Sequence, residues 1–219
     1  MRSCEFHDWG LVPYAEAWER QRALADRRKR GEIPDQLVIV EHPPVITMGR
    51  NGHDENLLTA RTELAALGIQ FEQIDRGGDV TFHGPGQIVG YPIVDLREWK
   101  RDVGAYLRAL EQLLIDTLSD GGLVAGRWPG KTGVWIEGRK VAAMGVHLSR
   151  WVTTHGFALN FDTDLSYFRH IVPCGLALPV TSMRAEGSRA SKPEVVAALT
   201  RHFAQQFHTE IFVPQESFS

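Results

Sequence analysis

TGVWIEGRKVAAMGVHL (132–148) reads as two β-strands folded back on each other at Glu137-Gly138, and VTTHGFALNF (152–161), following at once, reads as a third. Apolar and β-branched residues fill both stretches, and the breaks fall on glycine and short polar positions. Three successive strands with tight connections make an antiparallel sheet, and the rest of the chain is organised around it.

Upstream, LVIVE (37–41) and VITMG (45–49) are short strands around a His-Pro-Pro turn. A short helix over 59–67 stops at Gly68 and is followed by the strand IQFEQID (69–75). Residues 14–30 place Tyr14, Ala17, Trp18, Leu24 and Ala25 on one helical stripe. The other face carries Arg20, Arg22, Arg27, Arg28, Lys29 and Arg30 against Glu19 and Asp26, the pattern of a solvated face. A helix over 103–119, with Asp102 as N-cap and Gly121-Gly122 as stop, repeats Val103, Tyr106, Leu107, Leu110, Leu113, Leu114 and Leu118 toward a core. The last helix, 192–207, is preceded by the capping box Ser191-Lys192-Pro193-Glu194. Strands and helices are interspersed without regular βαβ alternation. The expected fold class is therefore α+β, a mixed, largely antiparallel sheet flanked by helices. No linker, repeat or low-complexity stretch divides residues 1–219, which read as a single domain.

The chain has 219 residues, a formal net charge of −3 and 43% hydrophobic residues. That balance excludes a global basic footprint for nucleic acid, and no apolar run is long enough for a membrane span. With no hydrophobic leader among the first residues, a cytoplasmic location is expected. Cys4 and Cys174 are read as free thiols, Cys4 beside a mobile terminus. Among nine histidines there is no HExxH and no paired Cys/His spacing, so neither a metal nor a cofactor is expected.

Three segments are candidates for chemistry. RGGDVTFHGPGQ (76–87) concentrates glycines that allow close backbone approach to a ligand, or that serve two tight turns around a short strand. It is neither a P-loop nor a dinucleotide fingerprint. Cys174, in IVPCG (171–175), suits an acyl-accepting nucleophile if a neighbour lowers its pKa, and otherwise a small buried apolar residue. His83, His155, His170 and Lys140 are its possible bases. Lysines are few here, five against nineteen arginines, and unlike arginine a lysine can give up its proton.

Together and in order, EHPPVITMGRNG, RGGDVTFHGPGQIVGYPIVDL, GKTGVWIEGRKVAAMGVHLSR, THGFALNF and FRHIVPCGL resemble the octanoyltransferases, or lipoyl(octanoyl) transferases, of the biotin/lipoate protein ligase superfamily. The resemblance covers nearly the whole chain. It implies acyltransferase activity in lipoate biosynthesis and protein lipoylation. An octanoyl group would pass from octanoyl-acyl carrier protein to a lysine ε-amino group on lipoyl domains of 2-oxo acid dehydrogenase E2 subunits and on the glycine-cleavage H protein. It further implies that Cys174 forms the acyl-enzyme thioester and that Lys140 is its dyad partner. Substrate-binding positions would be Arg76, Gly77, Gly78, Asp79, Val80, Thr81, Phe82, His83, Ala143, Met144, Gly145, Gly156, Phe157 and Ala158. Met144 stands where the family more usually has a smaller or branched aliphatic residue.

Exchange between thioesters is nearly isoenergetic and thioester to amide is downhill, so such a transfer needs no nucleotide. Amides near Gly77-Gly78 or Lys140-Val141 are expected to face the oxyanion. Val80, Phe82, Met144 and Phe157 are expected to line the acyl slot. Two basic regions could meet an acidic carrier, the helix at 20–30 and the stretch 127–150. In the second, Arg127, Lys131, Arg139, Lys140 and Arg150 face only Glu137 in sequence, and docking is expected beside it.

Overall fold

The computed structural model describes residues 2–172 and 179–214. The two hairpins form as read: β8 (Lys131–Ile136), β9 (Arg139–Ser149) and β10 (Val152–Asn160) run antiparallel. Their turns are Glu137-Gly138, with φ of 46° and 82°, and Arg150-Trp151, with φ of 53° and 67°. Two consecutive left-handed residues define the hairpin turn whose twist matches that of its strands. Only Gly138 among the four adopts this conformation without steric cost.

The main sheet has eight strands in the order β11-β1-β2-β6-β10-β9-β8-β7. Its other members are β1 (Arg2–Leu11), β2 (Asp35–Glu41), β6 (Gln87–Ile93), β7 (Gly126–Trp128) and β11 (Thr209–Phe212). Pairing is antiparallel except that β1 runs parallel to both β2 and β11. The expected mobile terminus is thus an interior strand. Cys4 is fully buried on it as a free thiol, and burial pushes its pKa up, so it is an inert packing residue.

Helix α3 (Val103–Asp120) starts at Asp102, whose carboxylate accepts from the Ala105 N–H at 2.9 Å, and α4 (Lys192–Phe207) starts at the Ser191/Glu194 capping box. They pack together on one face of the sheet over a core that includes Tyr106, Leu110, Leu114, Phe203 and Phe207. Helix α1 (Tyr14–Lys29) covers the opposite face, against β6 and β10. Its buried stripe keeps Tyr14, Ala17 and Ala25 but adds Gln21 and Arg28, whereas Trp18 and Leu24 are only half-buried. The basic face is therefore not wholly solvated. Arg28 reaches Asp35 at 2.9 Å, Glu98 at 2.7 Å and Asp95 at 3.7 Å, and Arg2 shares Asp35 with it.

A second sheet, β4-β3-β5, joins β3 (Val45–Met48) to β4 (Gln70–Gln73) in parallel and to β5 (Val80–His83) antiparallel, beside the short α2 (Arg61–Ala66). The loop leading into β5 meets the main sheet where the Gly77 N–H donates to Val146 O at 2.8 Å. The space between the sheets is closed on one side by that loop. No helix among the described residues is long and apolar enough to cross a membrane.

Candidate active site

One irregularity in the hairpin sets the site. Val134 pairs with Ala142, yet the next residue, Trp135, pairs with Lys140, so β9 carries one extra residue, Val141. Val141 and Ala142 are both buried in the core under α3. The bulge resets the alternation, and Lys140 and Ala143 on either side of the pair line a cavity of about 570 Å³. Lys140 Nζ lies 4.7 Å from the Trp135 ring centroid, within cation–π distance.

The cavity gathers the expected binding stretches. Arg76, Gly77, Gly78, Asp79, Val80, Thr81 and His83 line it from the loop and β5, Ala143, Met144 and Gly145 from β9, and Gly156, Phe157 and Ala158 from β10. Phe82 is the exception among the four residues expected along an acyl slot. Its ring is buried in the core of the small sheet, stacked on Tyr167 at 4.8 Å, because Phe82 packs with Ile46, Leu64 and Ile69 there. Sequence reasoning also passed over Tyr14, Tyr91, Trp135, Asn160, Val103 and Leu107, all lining residues. Val103 and Leu107 stand at the end of the helical stripe expected to face a core; Tyr106, Leu110, Leu113, Leu114 and Leu118 do so, whereas Val103 is exposed and Leu107 half-buried, and both open on the cavity.

The polar residues of the glycine-rich loop hold the loop itself. Arg76 donates to Thr47 O and Thr47 Oγ1, each at 2.9 Å, and to Gly77 O at 3.1 Å. Asp79 accepts from the Val80 N–H at 2.7 Å and from Asn56 Nδ2 at 2.5 Å. Gly145 must be glycine, since a Cβ there would lie 2.7 Å from Gly77 O and 2.9 Å from Arg76 Cδ. Two of the amides expected to face an oxyanion are engaged otherwise: Gly77 donates to Val146 O, and the Lys140 N–H donates to Pro179 O at 2.9 Å.

Of the histidines, His83 hydrogen-bonds Gln87 Oε1 at 2.8 Å, and burial together with nearby His42 holds its pKa well below the usual imidazole range. His155 joins Asp75 at 2.7 Å and the Tyr14 hydroxyl at 3.2 Å; burial lowers its pKa against the pull of that carboxylate. His170 joins Thr59 at 2.8 Å and is not among the lining residues. Cys174 lies outside the described residues. The described chain on either side of it is anchored at the cavity: the Val172 N–H donates to the carbonyl of Asn56, the residue bonded to Asp79, and Val180 lines the cavity beside Lys140. Among the described residues no cluster of His, Cys, Asp and Glu could hold a metal ion.

The basic stretch 127–150 is more neutralised than its sequence suggests. Arg127 pairs with buried Glu111 at 3.0 Å, and Arg139 pairs with Glu186 at 2.8 Å as well as with Glu137.

Residues 13–204 match the lipoyl protein ligase A/B catalytic domain family. An octanoyltransferase of Solibacter usitatus is 62% identical over 211 residues, which are 96% of each chain. One of Koribacter versatilis is 49% identical over 209 residues, covering 92% of this chain and 83% of the relative. Among solved structures, a bipartite lipoate protein ligase from Thermoplasma acidophilum, studied together with its E2 lipoyl domain, superposes with a TM-score of 0.75 at 16% identity. That match covers 100% of this chain and 89% of the other, a likeness of fold.

Proposed function

The chain belongs to the lipoyl protein ligase A/B catalytic domain family, and from that premise we propose that it is an acyltransferase that moves octanoyl groups in lipoate biosynthesis. The observation that carries this reading is identity to octanoyltransferases along nearly the whole chain, 62% in one case. The acceptors are lysines of lipoyl domains, those of E2 subunits and of the glycine-cleavage H protein; the donor is octanoyl-acyl carrier protein. Residues 1–219 act as one catalytic domain.

In the first half-reaction the Cys174 thiolate attacks the thioester carbonyl. The carrier's sulfur leaves and takes the proton of the Lys140 ammonium, which becomes neutral, and the acyl group stays on Cys174 as a new thioester. In the second, the acceptor's amine attacks that thioester, an amide forms, and the cysteine thiolate is released. Lys140 serves both steps, as a cation beside the thiolate and, once neutral, as the acceptor of the amine's proton. Its position supports the role: the bulge faces it to the cavity, the Trp135 ring lies within cation–π distance of its ammonium, and its backbone is bonded to the chain resuming after Cys174. Apolar surface from Val80, Ala143, Met144, Phe157 and Ala158 makes the walls for an alkyl chain.

Intact-protein mass spectrometry after mixing with octanoyl-acyl carrier protein, without ATP, tests the reading. A hydroxylamine-labile octanoyl adduct, absent in Cys174→Ser and discharged onto an added lipoyl domain, is the expected result. Octanoylation only with ATP and free octanoate, indifferent to Cys174, would make the chemistry adenylation instead.

A further inference from the structure

The cavity floor is laid out in rungs along β10, where Asn160, Ala158 and Gly156 share one face. The first rung is polar. Gln87 Nε2 donates to Asn160 Oδ1 at 2.9 Å, Asn160 Nδ2 donates to Thr181 O at 2.9 Å, and the Thr181 N–H donates to Lys140 O at 2.9 Å, which ties this rung to the reactive lysine. On the second rung Ala158 faces Val89 on β6 and Ala143 on β9, and only aliphatic surface is offered. The third is bare backbone, Gly156 opposite Gly145.

On β6 Tyr91 comes level with the third rung, and beyond it stand His155, the next residue of β10, and Tyr14; all three line the cavity. Their polar atoms are already engaged. The Tyr14 hydroxyl meets His155 Nδ1 at 3.2 Å, His155 Nε2 meets Asp75 at 2.7 Å, and the Tyr91 hydroxyl meets His42 Nε2 at 2.7 Å. Both phenols thus turn ring carbon rather than an unsatisfied hydroxyl to an alkyl chain. His155 is held for this purpose in a left-handed conformation, φ 58°, with its N–H bonded to Gln21 Oε1 at 2.8 Å. Strand alternation would send its side chain toward α3, opposite Gly156; the left-handed backbone brings it to Tyr14 on α1, at the cost of strain that the surrounding bonds over-determine.

The four strand steps from Asn160 to Gly156 span about 14 Å. Less one van der Waals contact of about 4 Å, some 10 Å remains. An extended octanoyl chain, with carbon–carbon bonds of about 1.5 Å, is about 9 Å long.

We propose that Tyr14, braced by His155 and Asp75 and flanked by Tyr91, is the end wall that sets the acyl chain length. The inference rests on the octanoyl-transfer reading, with the chemistry beside Lys140. Tyr14→Leu and Tyr91→Leu are compared with the parent and with Tyr14→Phe, using carrier proteins loaded with octanoyl, decanoyl or dodecanoyl chains, and using calorimetric binding of free octanoate and dodecanoate. A rise of about tenfold or more in the dodecanoyl-to-octanoyl ratio of kcat/KM in a leucine variant, matched in the binding ratio and absent in Tyr14→Phe, is expected. Leucine variants that unfold cooperatively yet keep the parental ratios in both assays overturn the wall. Should Tyr14→Leu fail to fold, Tyr91→Leu decides alone. Failure of the parent to transfer any chain would sink the transfer reading, while the binding ratios still decide the wall.

Discussion

Lys140 and Val180 lie side by side in a parallel bridge, with the Lys140 N–H on Pro179 O and the Thr181 N–H on Lys140 O, each at 2.9 Å. The backbone of the proposed base is therefore fixed by the chain that follows Cys174, independently of its side chain. Lys140→Arg should fold like the parent and keep a cation near the thiolate, but a guanidinium does not deprotonate. Transfer onto a lipoyl domain should fall about 10²–10⁴-fold, with acylation of Cys174 less affected; rapid-quench measurement of the two half-reactions checks this. Equal loss in both would assign the lysine to electrostatics alone.

Arg28 is buried between Asp35, Asp95 and Glu98. Arg28→Met should lower stability by about 3 kcal/mol, since Asp35 would lose a buried partner while keeping Arg2 and the Asp95 N–H. Urea unfolding measures it. A change within about 0.5 kcal/mol would mean that the face behaves as the solvated one read from its charge pattern.

Burial lowers the pKa of His42 to about 4, and His83 and His155 are also lowered. Below about pH 6.5 the unfolded chain binds protons at these positions that the folded protein refuses, so stability falls as the pH drops from neutral toward 4. The slope attributable to His42 is at most about 1.4 kcal/mol per pH unit. His42→Gln should flatten the dependence of the urea midpoint between pH 6.5 and 4.5. Asp75 behaves oppositely in origin: its bond to His155 holds its pKa at about 2, so its contribution is lost only in stronger acid.

Because Arg127 is committed to buried Glu111, reversing its charge would set two carboxylates together and confound docking with folding. Arg150, in the left-handed turn between β9 and β10, pairs with no buried acid among the described residues and is the better probe of a carrier surface. Arg150→Glu should lower kcat/KM for the acyl-carrier donor about three- to tenfold at low salt, converging with the parent as salt is raised. Parallel salt curves would place docking elsewhere.

Much of this was readable from residues. The paired hairpins, both capped helices and the glycine-rich loop are local patterns, each decided by neighbours a few positions apart. What escaped reading depends on distant partners. The first strand carries mixed polar and apolar residues, and only pairing on both edges, with β2 and β11, makes it interior. Gln21 and Arg28 look like solvated helix positions until His155 and Asp35 arrive from elsewhere in the chain. Phe82 sits inside a ligand-facing stretch, yet strand neighbours in the small sheet claim its ring. Tyr14, Tyr91 and Asn160 become cavity residues only after α1, β6 and β10 are assembled, which no short motif could signal.

The bulge at Val141 makes the facing of Lys140 a matter of parity. Were Val141 kept and the bulge flattened, Trp135 would stand opposite Val141 and Ile136 opposite Lys140, and strict alternation would turn the lysine into the apolar core beneath α3. Deleting Val141 outright would remove the bulge as well and leave Lys140 on the cavity side, drawn one strand step closer to Ala142. The extra residue and the bulge must therefore be present together or absent together: a one-residue slip of the β8–β9 pairing, more than a change in the sequence of its turn, would replace a base with a buried cation.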